Sequence, residues 1–135
     1  MVTPFFSIGT TLVLIATDGF NKYKTATGGV LDSNTGLLRV TSSQLASLQS
    51  LTFTDSTGSF ELTPNAQLFP RSLNTDIGGV AGNNYLIVND LGTTSGEGLD
   101  FILGYAFLER FYSVFDTANN RVGFATTPFT AATTN

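Results

Sequence analysis

The chain contains neither histidine nor cysteine. That removes Ser–His and Cys–His nucleophilic catalysis, and with them a zinc site built on nitrogen and sulfur ligands. Proton chemistry is left to the carboxylates. The stretch Ser7-Ile8-Gly9-Thr10-Thr11 gathers hydroxyls around a glycine, between the apolar runs Phe5-Phe6 and Leu12-Val13-Leu14-Ile15. Ser7 carries no charge at any working pH, and as a nucleophile it needs an adjacent base that no imidazole supplies. On residues alone, Ser7-Ile8-Gly9 is an ordinary turn in a β-domain. A second stretch runs from Glu97 through Asp100 into Ile102-Leu103-Gly104. Two carboxylates held close together push their pKa values apart and so make an acid and a base. Glu97 and Asp100 read either as such a pair or as solvated surface groups, and solvation is the expectation.

The elements that must position these stretches are short. Phe101-Ile102-Leu103, closed by Gly104, reads as a buried strand. Ala106 to Arg110 reads as a polar-faced helical turn. Phe111 to Phe115 and Val122 to Ala125 read as the arms of a hairpin, with Ala118-Asn119-Asn120-Arg121 as its turn, because Asn tolerates positive φ. Phe5 to Ile15 reads as strand, tight turn, strand. Thr17 to Gly28 predicts a helix opened by Thr17, with Asp18 in its first turn and Gly28 just past its end. Phe20, Tyr23 and Thr27 follow helical spacing on its inner face. Gly29 to Gly36 reads as a loop and Leu37 to Val40 as a strand. Thr41 and Gln44 form a capping-box pattern for a brief helix ending near Ser50, with Leu45 and Leu48 inward. Leu51–Thr54 and Ser59–Thr63 alternate as a hairpin around Asp55-Ser56-Thr57-Gly58. Pro64 to Leu68 makes a turn and a short helical segment. Phe69 to Asn84 is expected to be a long loop, mobile or packed on a partner. Tyr85 to Asn89 reads as one strand.

The order of these features resembles the C-terminal end of a pepsin-family aspartic endopeptidase. The resemblance rests on an apolar-apolar-Gly strand at Ile102-Leu103-Gly104, the run Phe111-Tyr112-Ser113-Val114-Phe115-Asp116, and the hairpin Ala118-Asn119-Asn120-Arg121-Val122-Gly123. Ser95 to Ile102 and Phe107 to Val114 are most similar to the fungal, polyporopepsin-like branch. The resemblance runs from about Phe5 to Thr130 and implies a mostly β fold. It points to one pepsin-like lobe, the C-terminal half, with strongly bent antiparallel sheets and two or three short helices. Residues 1–130 are then the lobe and 131–135 a flexible tail.

The resemblance also implies a site, and a departure from it. The family's Asp-Thr-Gly-Thr-Thr/Ser-Leu motif falls on Ser7 to Leu12, so its catalytic carboxylate falls on Ser7 and the following Thr on Ile8. Gly9, Thr10 and Thr11 agree with the motif and would line an extended peptide, while Ile102, Leu103 and Gly104 support the turn. Many pepsins carry Asp after that last glycine, where this chain has Tyr105. A family enzyme uses one aspartate from each lobe to share a proton and activate water. A serine cannot replace an aspartate there, and Ile8 lacks the hydroxyl that braces the two active-site loops. The expected function is therefore a catalytically inactive, aspartic-protease-like binding or effector domain. The alternatives are an enzyme fragment needing a second lobe and an Asp, or an antigenic surface protein using the fold only.

Composition sets the remaining bounds. At 135 residues, with ten acidic against six basic side chains and a net charge of -4, the chain is sized for one core and carries no basic stripe for nucleic acid. No apolar run reaches membrane-spanning length. No metal or cofactor is expected. A family lobe has strands ahead of Phe5-Phe6, so exposed apolar surface and unpaired edges are expected. A homodimer or a second protease-like lobe would cover them. Secretion is implied by the resemblance alone.

Overall fold

The apolar run ahead of Gly104 becomes strand β9 (Phe101–Leu103), and two strands from the start of the chain flank it. In the computed structural model, residues 4–7, 9–54 and 58–134 are described, with 4–6 described by backbone alone. β1 (Pro4–Phe6) runs parallel to β9, with Phe5 opposite Ile102. β2 (Val13–Ile15) runs antiparallel to it, with Leu14 opposite that same Ile102. β8 (Val88–Asp90) pairs parallel to β2 and completes a four-stranded sheet, in the order β1-β9-β2-β8. The expected strand–turn–strand at the start of the chain is present, but its arms do not pair with each other. The later strand lies between them, and the sheet is mixed where antiparallel sheets were expected.

A second sheet holds β3 (Val30–Leu31), β4 (Leu38–Val40) and β7 (Asn84–Leu86), all antiparallel. β3 falls where a loop is expected; a strand of two exposed residues carries no periodic signal. Tyr85 to Asn89 splits into β7 and β8, which belong to different sheets. Ile87 marks the switch: its N–H donates to Gln67 O (2.9 Å) and its carbonyl accepts from Val13 N (3.0 Å).

Helix α1 (Thr17–Thr27) ends at Gly28 with φ 66°, as its sequence predicts. Its N-cap is Ala16 and not a Thr, because Thr17 Oγ1 donates to Asp90 Oδ1 (2.7 Å) and ties the helix to β8. α2 (Ser42–Ala46) has the full Thr41–Gln44 capping box. β5 (Leu51–Thr54) and β6 (Ser59–Leu62) form the expected hairpin, whose turn at 55–57 lies outside the described residues. Phe69 to Asn84 contains a 3-10 turn at Arg71–Ile77. The fully buried Asn74 holds it by donating to Val80 O (3.2 Å) and Asn83 O (2.9 Å).

α3 (Tyr105–Leu108) differs from the polar-faced turn expected of it. Phe107 is fully buried and Arg110, just beyond, is 6% exposed. Phe107 stacks on Phe111 at 4.7 Å between ring centroids and meets Phe124 edge-on at 5.4 Å. With Val13, Leu62, Tyr85, Ile87 and Leu103 these rings form the main core. A second cluster of Phe20, Leu38, Val40, Leu68 and Leu86 sits under α1.

β10 (Phe111–Asp116) and β11 (Arg121–Thr126) make a separate two-stranded ribbon. Asn120 turns it at φ 51°, the conformation Asn is chosen for. Tyr112, Val114 and Phe115 are exposed on the ribbon. Arg110 Nη1 donates to Ala132 O (3.0 Å) and Asn65 Nδ2 to Thr133 O (3.0 Å), so hydrogen bonds reach into the C-terminal tail.

Candidate active site

Ser7 follows directly on β1 and is half-buried. Its N–H donates to Leu103 O (3.3 Å), continuing the parallel ladder by one residue. Its Oγ accepts from Gly9 N (3.0 Å) and so closes a tight local turn. Ile8 lies outside the described residues. Thr10 holds the far side of the turn: Oγ1 accepts from Leu12 N (3.3 Å). Thr10 O accepts from Tyr105 N (2.9 Å) and Thr11 O from Ala106 N (3.0 Å). The first N–H groups of α3 have no partner within the helix, and the turn satisfies them.

Gly104 makes this contact possible. A Cβ at Gly104 would sit 2.2 Å from Leu12 O and 2.6 Å from Thr10 O. Its φ is -83°, so the requirement is space and not backbone conformation. The structure thus brings together Ser7, Gly9, Thr10 and Thr11 with Ile102, Leu103 and Gly104. Gly9 and Thr11 are exposed, so this side of the turn is open to a ligand.

Glu97 and Asp100 have different surroundings. Glu97 is exposed. Asp100 is 7% exposed, which corrects the expectation of a solvated group. Its main chain is held where the loop enters β9, with Asp100 O accepting from Ala16 N (2.8 Å). Oδ1 accepts from Gly96 N, while Oδ2 is buried with no hydrogen-bond partner. Nearby, the Ser95 hydroxyl donates to Asp18 Oδ1 (2.5 Å) and is the main reason that carboxyl is held below its ordinary range. Burial pushes the Tyr23 hydroxyl well above its ordinary range, and that hydroxyl donates to Gln67 Oε1 (2.9 Å). Among the described residues no group of three or more His, Cys, Asp or Glu is placed to hold a metal ion. The Ser7 turn therefore offers hydroxyls and main-chain groups, and among the described residues no ionisable side chain hydrogen-bonds to Ser7 Oγ.

A family model described as eukaryotic aspartyl protease matches residues 4–127. The chain belongs to the eukaryotic aspartyl protease family. Polyporopepsin of Irpex lacteus is 67% identical over 127 residues, which is 94% of this chain and 37% of that protein. Gastricsin of Cavia porcellus is 35% identical over 121 residues, covering 87% of this chain and 28% of its own length. The crystal structure of the aspartic proteinase from Irpex lacteus superposes with a TM-score of 0.93 at 65% identity, over 96% of this chain and 38% of that one. The expected family and fold, a pepsin-like and mostly β one, hold. The chain spans under two-fifths of the length of these relatives.

The nearness of the Gly9–Thr11 segment to Gly104 was legible in advance. The burial of Asp100 was not, because a carboxylate in a Gly/Ser-rich stretch reads as solvated. Arg110 was also missed; its guanidinium satisfies Phe129 O, Ala132 O and Asn65 Oδ1, contacts far apart in sequence.

Proposed function

We propose that this chain acts as the C-terminal lobe of an acid aspartic endopeptidase, a peptide-bond hydrolase whose cleft is completed by a second lobe. The observation that carries the reading is the Ser7–Thr11 turn seated on Gly104, within a chain 67% identical to polyporopepsin. Gly9, Thr10 and Thr11 border an extended peptide and bind it through the main chain, while Ile102, Leu103 and Gly104 fix the turn. Ser7 stands at the position of the lobe's carboxylate. Acid–base catalysis by a carboxylate pair needs two ionisable groups that share a proton. A hydroxyl bonded to Gly9 N is not one of them. A lobe with Ser7 therefore contributes cleft wall, and hydrolysis requires Asp at that position.

This same feature favours a second reading, an inactive binding lobe that holds extended peptides without cutting them. Either role places the protein outside the cell, as the resemblance implies, with the open face of β10–β11 covered by another lobe or by a second copy. Acid digestion of denatured haemoglobin tests whether the chain completes an endopeptidase cleft. The chain is assayed alone, with a separately expressed N-terminal lobe of a relative, and with that lobe after the double change Ser7→Asp and Ile8→Thr. Pepstatin-sensitive cleavage only in the third mixture is expected. No cleavage there, with the two lobes shown to associate, overturns the endopeptidase reading and leaves peptide binding.

A further inference from the structure

A cavity of about 530 Å³ opens between α1, the Leu48–Leu51 segment and β9. It lies apart from the Ser7 turn, none of whose described residues line it. Ile15 of β2, Tyr23 of α1, Leu51 and Phe53 of β5 and Phe101 of β9 all pack against the main core, and each is only half-buried and lines this cavity. Phe53 and Phe101 stand 5.5 Å apart between ring centroids, tilted by 43°. The core is thus unclosed at this place, and the surface it shows there is apolar and largely aromatic.

The polar side chains of the wall are engaged with the protein. Tyr23 Oη donates to Gln67 Oε1 (2.9 Å), and Gln67 Nε2 donates to Gln49 O (2.9 Å) and Leu62 O (3.0 Å). Gln44 accepts from Thr41 N and donates to Gly28 O. Asp100 Oδ1 accepts from Gly96 N, and its Oδ2 has under 1 Å² of accessible surface, so that oxygen is closed to a ligand. Lys22 also lines the cavity but is exposed, and pairing with an exposed ammonium adds little. A charged ligand would give up hydration here and meet no buried counter-charge, whereas a neutral ring has little hydration to lose.

We propose that this cavity is a binding site for a neutral aromatic molecule of one or two rings, held among Tyr23, Phe53 and Phe101. Pockets of this volume and lining take small organic molecules, and contacts between rings add to what buried area alone supplies. The site is independent of the peptide cleft and of the reading given above for it.

The test titrates the folded chain with 2-naphthol and, separately, with 2-naphthalenesulfonate, following amide and aromatic NMR shifts. The two probes share their rings and differ in charge. Saturable shifts at Tyr23, Phe53 and Phe101 are expected from 2-naphthol, with half-saturation below about 1 mM. The sulfonate should bind at least roughly tenfold more weakly. Two variants fill the cavity from α1. Gly19 lines it, and a Cβ there meets only Ile15 Cδ1, at 3.8 Å, so Gly19→Leu should keep the fold. Ala26 lines it from an exposed helical position, which also accepts leucine. Either filling, in a chain shown to stay folded, should weaken 2-naphthol at least about tenfold. No saturation by about 3 mM 2-naphthol, or a sulfonate that binds as tightly, overturns the proposal. So does an affinity unchanged in both folded variants. Concentration-dependent self-association that Gly19→Leu abolishes overturns it as well, since the cavity then seats a second copy.

Discussion

Gly104 is the residue on which the site geometry depends most directly. Its hydrogen faces two carbonyl oxygens, those of Leu12 and Thr10, where a methyl would lie at 2.2 and 2.6 Å. These are main-chain atoms of a hydrogen-bonded turn, so they cannot swing aside as a side chain would. Gly104→Ala is therefore expected to destabilise the fold by about 3 kcal/mol or more, read from urea unfolding. A loss under about 1 kcal/mol would mean that the turn shifts freely. Asp116 makes a prediction in pH. Its carboxylate accepts from the Asn119 amide (2.8 Å) and then from Arg121 Nε (2.8 Å), and these hold its pKa below the ordinary 3.8. A carboxyl depressed in the folded state adds stability above its unfolded pKa and loses it as pH falls through the folded value. Asp116→Asn should thus lower the melting temperature at about pH 6, and the gap to wild type should close by about pH 2. A gap that persists undiminished in acid would assign the effect to turn geometry and not to charge. Gly104 was legible because a glycine ending an apolar run invites a close approach. Asp100 was not, because its burial is decided by Ala16 and Gly96, residues that sequence distance and local polarity do not connect to a core.

At the scale of elements, the capping box at α2 does two things. Thr41 N donates to Gln44 Oε1 (2.8 Å) and Gln44 N to Thr41 Oγ1 (3.2 Å), closing the box. Gln44 Nε2 also donates to Gly28 O (2.8 Å), which fastens the end of α1 to the start of α2. Gln44→Ala removes both and should cost about 1–2 kcal/mol. Gln44→Glu keeps the acceptor for Thr41 and loses only the bond to Gly28, so it should cost about half as much. Thermal unfolding of the two variants measures the split, and equal losses would show that the box itself adds nothing. The box was readable because its partners lie three residues apart. The division of Tyr85 to Asn89 into β7 and β8 was not. The run is apolar as far as Val88, and only Gln67 and Val13, on either side of Ile87, reveal where it leaves one sheet for the next. The placement of β9 between β1 and β2 has the same origin: Phe5 and Leu14 share Ile102 across a separation that no local pattern records.

The whole molecule is uneven in how it treats its apolar residues. The core closes around Phe107, yet Tyr112, Val114 and Phe115 stand exposed on a ribbon that no other strand of the described residues joins. Tyr112 and Val114 lie on one face, opposite Ala125 and Gly123, and no long charged side chain stands at those four positions to shield the ribbon. Strand edges and apolar faces of this kind pair with other chains unless charge or bulk blocks them. The isolated chain is therefore expected to associate at tens of micromolar, giving a mass at least about twice its 14.3 kDa by sedimentation equilibrium. The triple change Tyr112→Ser, Val114→Ser and Phe115→Ser should return it to monomer. These side chains are 65%, 49% and 62% exposed, so the substitutions remove little buried area and should move the melting temperature only slightly. A wild-type chain that stays monomeric across that range would remove the β10–β11 ribbon as the docking face for a second lobe or a second copy. A triple variant that still associates would move the contact to another surface, with the exposed Val30 and Leu31 of β3 the next edge to change.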